Sequence, residues 1–151
     1  MGCLFCFQRI DIKWQRGEKM NPKECRFTKD HEYICPEPEN TGTIGVTNYA
    51  QEQLGDVVFL DLPAPGTLIQ QSKKMGEVES VKAVSEIFAP VSGKVIEVNR
   101  QVVEHPELVN KDPYGAGWLV KIEVTNPGEL GALMDSATYE KMVAGLTEEK
   151  K

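Results

Sequence analysis

From Arg26 to Val124 the apolar residues come in short runs broken by turn formers. TIGV (43–46) follows Gly42. DVVFLDL (56–62) is rich in Val, Phe and Leu and stops at Pro63, Pro65 and Gly66. GEVESV (76–81) and AVSEIFA (83–89) flank Lys82, GKVIEVN (93–99) begins at Gly93, and WLVKIEV (118–124) follows Gly115 and Gly117. Short, β-branched runs bounded by Gly, Pro, Asn or Asp are the mark of strands. Several of them at close spacing predict a small sandwich or flattened barrel rather than a βαβ sheet.

Two segments break that rhythm. In TNYAQEQL (47–54) capping residues precede good helix formers, and Gly55 follows. Asn48 with Gln51 three residues later reads as a capping box, and Gly55 as the residue that ends the helix. Near the C-terminus, Asp135 and Ser136 precede Tyr139, Met142 and Val143 at helical spacing, which predicts a second helix. GELGALM (128–134) reads as a short helix before it. The chain is thus expected to be mainly β, with one short internal helix and a helical C-terminus.

Composition narrows the function classes. At 40% hydrophobic and 26% charged residues the chain reads as an ordinary globular protein. A formal net charge of −6 argues against a nucleic-acid surface, which needs clustered Lys and Arg. No apolar run approaches the roughly 20 residues that span a bilayer. The opening MGCLFC is near a myristoylation pattern, but Cys6 stands where Ser or Thr is wanted. These features predict a cytoplasmic protein, with residues 1–24 a disordered extension and residues 25–151 the functional domain. Cys3, Cys6, Cys25 and Cys35 all lie in the first quarter; a single C-x-x-C without a matching pair reads as free thiols. His31 and His105 are the two histidines, so a zinc site or a Ser-His-Asp arrangement is not expected, and His31 reads as structural.

Lys82 is the residue that invites chemistry. If its two flanking runs pair as a hairpin, its amine stands exposed on a rigid turn, with Glu79 and Glu86 on either side. The residues alone leave two readings open: a solvated lysine like the other twelve, or an amine presented for modification.

GEVESVKAVSEIFAPVSGKVIEVN (76–99) resembles the lipoyl-attachment segment of glycine cleavage H proteins, in which the lysine of ESVKA carries lipoate. TKDHEYI (28–34), TIGVTNYAQEQLGDVVFLDLPAPG (43–66) and PELVNKDPYGAGWLVKIEV (106–124) resemble further motifs of that family in the same order. Val81 and Ala83 stand where related biotin carriers have Met. CPEPENTG (35–42) is longer and more Pro-rich than the family pattern, which should alter a turn only.

The resemblance implies a barrel-sandwich hybrid of the lipoyl type with lipoate on Lys82 at a hairpin tip. It implies a monomeric, non-catalytic carrier that moves the aminomethyl group of glycine from a pyridoxal-phosphate glycine decarboxylase to a tetrahydrofolate-dependent aminomethyltransferase. Dihydrolipoamide dehydrogenase would reoxidise the arm, and a lipoate ligase or a lipoyl/octanoyl transferase would attach it. Glu32 is the residue expected to receive the charged end of the docked arm, with Asp30 and Glu86 near it. Two alternatives stay open at this point: an H-like lipoate carrier of another pathway, in sulfur oxidation or lipoyl relay, and an unmodified interaction module.

Overall fold

The computed structural model describes residues 25–149; the extension 1–24, with Cys3 and Cys6, lies outside them. Nine strands form two antiparallel sheets. The larger contains β1 (Arg26–Phe27), β2 (Glu32–Glu37), β3 (Thr41–Val46), β9 (Val120–Val124), β8 (Gly93–Val98) and β5 (Leu68–Ile69), in that spatial order. The smaller contains β4 (Val57–Asp61), β6 (Lys74–Ser80) and β7 (Val84–Phe88), with β6 in the middle.

The alternation read from the sequence explains the packing. Ile34, Ile44, Val120 and Ile122 of the larger sheet meet Val57, Leu60, Val78 and Ile87 of the smaller one in a single buried cluster. Side chains two apart share a face of a strand, so each run commits one face inward and leaves the other to solvent. The result is a flattened, open barrel of the expected class.

Helix α1 (Asn48–Leu54) connects β3 to β4. Its cap is Thr47, whose Oγ1 accepts the Ala50 N–H at 3.2 Å. The expected Asn48–Gln51 capping box is instead a side-chain pair within the first turn, with Gln51 Nε2 donating to Asn48 Oδ1 at 2.8 Å. Gly55 ends the helix at φ +78°, a conformation that glycine adopts without steric cost. Two five-residue helices, α2 (Arg100–Glu104) and α3 (Glu107–Lys111), fill the span between β8 and β9. A 3-10 turn (Pro127–Ala132) and helix α4 (Ser136–Glu149) follow β9, and Asp135 Oδ1 caps α4 by accepting the Thr138 N–H at 2.8 Å.

Helix α4 lays Tyr139, Met142 and Val143 on a second apolar cluster with Cys25, Phe27 and Tyr33. Here the cysteine expectation is corrected: Cys25 and Cys35 form a disulfide across the β1–β2 ladder. Their neighbours Arg26 and Ile34 are register partners, so the ladder itself brings the two thiols together. The sequence distance of ten residues concealed a pairing that only strand register creates.

Candidate functional site

Lys82 sits in the turn joining β6 and β7. The ladder pairs Glu79 with Val84, and the chain reverses over Ser80–Ala83, where the Ser80 N–H donates to the Ala83 carbonyl at 2.8 Å. No glycine is needed, because Ser80 Oγ accepts the N–H groups of Lys82 (3.1 Å) and Ala83 (3.2 Å). Serine side chains hold turns in this way by replacing a backbone acceptor. The Val81 N–H donates to the Asp56 carbonyl at 3.0 Å, which fastens the turn to the loop after α1. Asn110 of α3 fixes that loop in turn, donating to the Gly55 carbonyl (2.8 Å) and accepting the Val57 N–H (2.9 Å). The Lys82 methylenes lie over Gly55, where a Cβ would come within 3.3 Å of Lys82 Cε. The residue itself is exposed.

A cleft of about 400 Å³ opens beside the β1–β2 hairpin. Phe27, Phe88, Leu133 and Met134 give it apolar walls, and Glu32, Asp30 and Lys29 give it charge. Glu32 is only 3% exposed. One carboxylate oxygen accepts from Thr28 Oγ1 at 2.7 Å and the other from the Phe88 N–H at 3.2 Å. Among the described residues no cation is paired with it. Burial pushes its pKa up from 4.5 to about 7; the Thr28 and Phe88 hydrogen bonds oppose the rise, and the Asp30 charge adds to it. Desolvation penalises the charged form and outweighs two hydrogen bonds that favour it.

The site residues expected from the sequence are thus partly brought together. Glu32 and Asp30 share the cleft, Asp30 at its exposed mouth with its N–H on Thr28 Oγ1. Glu86 lies outside the cleft lining, on β7 between Lys82 and Phe88, with its carboxylate 3.7 Å from Lys74 Nζ. Because Glu86 and Phe88 are two apart on a strand they share its face, so β7 leads from the turn to the cleft. The strand runs Val84–Phe88, four steps of about 3.4 Å each, from the end of the turn to the cleft. His31 stands outside the cleft lining. At φ +71° it turns the chain into β2, and its Nδ1 lies 2.8 Å from the Tyr139 hydroxyl, which also meets Thr47 Oγ1 at 2.6 Å. That chain of contacts ties the cleft hairpin, the start of α1 and α4 to one another. Ser80, Thr28, Phe88 and Asn110 went unnoticed in the sequence. A Thr four residues before a buried acid is a weak signal, and Asn110 gives none.

A flattened open barrel that presents one lysine on a locked hairpin turn, with a separate acid-and-apolar cleft along the same strand, has the form of a swinging-arm carrier domain. The comparisons say which kind. The family model described as Glycine cleavage H-protein matches residues 25–145. The glycine cleavage system H protein of Carboxydothermus hydrogenoformans is 49% identical over 122 residues, covering 81% of this chain and 93% of that protein. That of Methylocella silvestris is 51% identical over 118 residues, covering 78% and 94%. The crystal structure of a glycine cleavage system H protein from Mycobacterium marinum matches with a TM-score of 0.77 and 38% identity, over 82% of this chain and 99% of that one. The chain belongs to the glycine cleavage H-protein family.

Proposed function

We propose that the chain carries lipoate in amide linkage on Lys82 and serves glycine cleavage by receiving the charged end of that arm in the cleft around Glu32. The observation that carries the reading is an exposed lysine on a side-chain-locked turn at the start of β7, together with the buried Glu32 carboxyl of β2, which accepts the Phe88 N–H at the far end of β7 and pairs with no cation among the described residues. The family membership supports the glycine cleavage role over other lipoate-dependent pathways.

Bound lipoate supplies a dithiolane that takes up the one-carbon cargo and is afterwards reoxidised. This chain's residues supply tether, direction and shelter. Ser80 and Asp56 hold the turn, so the tether starts from a fixed point. Burial raises the Glu32 pKa to about 7, which brings its protonated form within reach at neutral pH. A cationic amine entering the cleft favours the ionised form: the Glu32 carboxyl gives its proton to solvent and the resulting carboxylate accepts the amine N–H, the cation offsetting the desolvation that burial imposes. Phe27, Phe88, Leu133 and Met134 keep water from the amine, which is otherwise open to hydrolysis. Asp30 at the mouth adds attraction for a cation, and Glu86 lies on the approach along β7. The enzymes served are glycine decarboxylase, aminomethyltransferase and dihydrolipoamide dehydrogenase, after loading by a lipoate ligase or a lipoyl/octanoyl transferase.

The test is reconstitution of glycine decarboxylation with loaded chain, Lys82→Arg and Glu32→Gln. Lys82→Arg should support no turnover. Glu32→Gln should still be loaded, yet release ammonia about tenfold to a hundredfold faster when tetrahydrofolate is withheld, since one lost charge-assisted hydrogen bond is worth about 1.5–3 kcal/mol. Full turnover with Lys82→Arg would refute the tether, and unchanged ammonia release would refute the role given to Glu32.

A further inference from the structure

Four of the seven large apolar side chains that are exposed among the described residues lie in the Lys82 turn or on the two edge strands of the smaller sheet, β4 and β7: Val58, Phe59, Val81 and Val84, with exposures of 49–66%. Scattered exposed apolar residues need no explanation, but a cluster rimmed by charge marks an interaction site. Strand register shows how the cluster is built. Phe59 pairs with Glu79, and Glu79 with Val84, so one cross-strand row on the outer face of the smaller sheet sets Phe59 and Val84 on either side of the exposed Glu79 carboxylate. A register shift between Val57 and Phe59 interrupts the alternation of β4, which is why two consecutive residues, Val58 and Phe59, are both exposed. Val81 lies in the turn itself, next to Lys82. The following row is acidic, Asp61–Glu77–Glu86, opposed by Lys74 with Nζ 2.7 Å from Glu77 and 3.7 Å from Glu86.

We propose that this face, Phe59, Val58, Val81 and Val84 with the carboxylates of Asp61, Glu77 and Glu86 beside them, is the surface on which the enzyme that acylates Lys82 docks. The inference rests on the carrier reading above and adds the surface and the chemistry of its partner. The choice of occupant follows from reach. An enzyme that acylates the ε-amine must bring its active site within one lysine side chain of the turn, and so must cover Val81, Val84 and Phe59. An enzyme that works on the far end of the finished arm has no such requirement. The partner's face should accordingly be an apolar depression rimmed by Lys and Arg. Burying a central aromatic supplies affinity, and the opposed charges supply association rate and its dependence on salt.

The experiment measures initial rates of lipoate attachment by a purified lipoate–protein ligase, with lipoate and ATP, against carrier concentration. The full-length chain is compared with Phe59→Ser, Val84→Ser, Phe59→Leu and Leu68→Ser. Leu68 is exposed on β5 in the other sheet and serves as the distant control. Phe59→Ser and Val84→Ser should lower kcat/KM on the order of tenfold, carried by KM, with unchanged circular dichroism, as truncating a central contact does. Phe59→Leu should recover most of the loss and Leu68→Ser should match the parent. The parent's KM should rise with ionic strength. Rates for both serine variants equal to the parent's would overturn the docking surface and leave the carrier reading intact. A parent that accepts no lipoate would overturn both.

Discussion

Glu32 concentrates the physics of the site in one side chain. Its pKa lies at about 7 when folded and near 4.5 ordinarily, so between these values the folded chain holds a proton that the unfolded chain has lost. Stability must therefore fall as pH rises through that window, the reverse of a salt-bridged carboxylate. Glu32→Gln removes the titration. The Tm difference between this variant and the parent should shift in the variant's favour from pH 5 to pH 8, measured by thermal unfolding. A difference independent of pH would contradict a buried, cation-free carboxyl. At this scale the exposed turn position of Lys82 was legible from the strand-like runs on either side of it, and Glu32 was singled out only by the resemblance. Their partners were not: Thr28, Phe88 and Ser80 act through hydrogen bonds that exist only once strands have paired.

The hairpin turn and the cap of α1 show what single elements contribute. Ser80→Ala leaves the Lys82 and Ala83 N–H groups without their acceptor. That should cost about 1 kcal/mol in a denaturant titration. It should also quicken amide exchange at Lys82 and Ala83, while exchange in β8 and β9 stays as it was. Thr47→Ala removes the cap of α1 and a partner of Tyr139, again at a cost of about 1 kcal/mol. Element by element, strands β3, β4 and β6 to β9 and helices α1 and α4 were legible, because apolar period and turn residues agree there. Helices α2 and α3 were not. Five residues form barely more than one turn, too few to display a period, and Val102 and Val109 are their single buried anchors. The capping box failed for a related reason: Thr47 and Asn48 both suit an N-cap, and only the position of Tyr139 decides for Thr47.

For the whole molecule, two apolar clusters divide the work. The larger joins the sheets, and the smaller fastens the β1–β2 hairpin, which carries Thr28, Asp30 and Glu32, beneath α4. The Cys25–Cys35 disulfide closes the hairpin. A loop of this length should contribute about 3 kcal/mol by restricting the unfolded chain. Reductant should lower the Tm of the parent and leave Cys25→Ser/Cys35→Ser unaffected; equal response of both would mean that the disulfide does not support the fold. No helix among the described residues is long and apolar enough to cross a membrane. The overall architecture was legible as mainly β with a helical end. How the turn, β7 and the cleft line up was not, since that depends on the register of β6 against β7.

The central claim is that Lys82 bears the arm. Its most direct test is intact mass spectrometry with peptide mapping, after expression with a lipoate ligase and lipoate, of the parent beside Lys82→Ala. The account predicts one lipoyl addition on the parent, mapped to the peptide containing Lys82, and none on the variant. A parent without the addition, or a variant that still acquires it, would contradict the account.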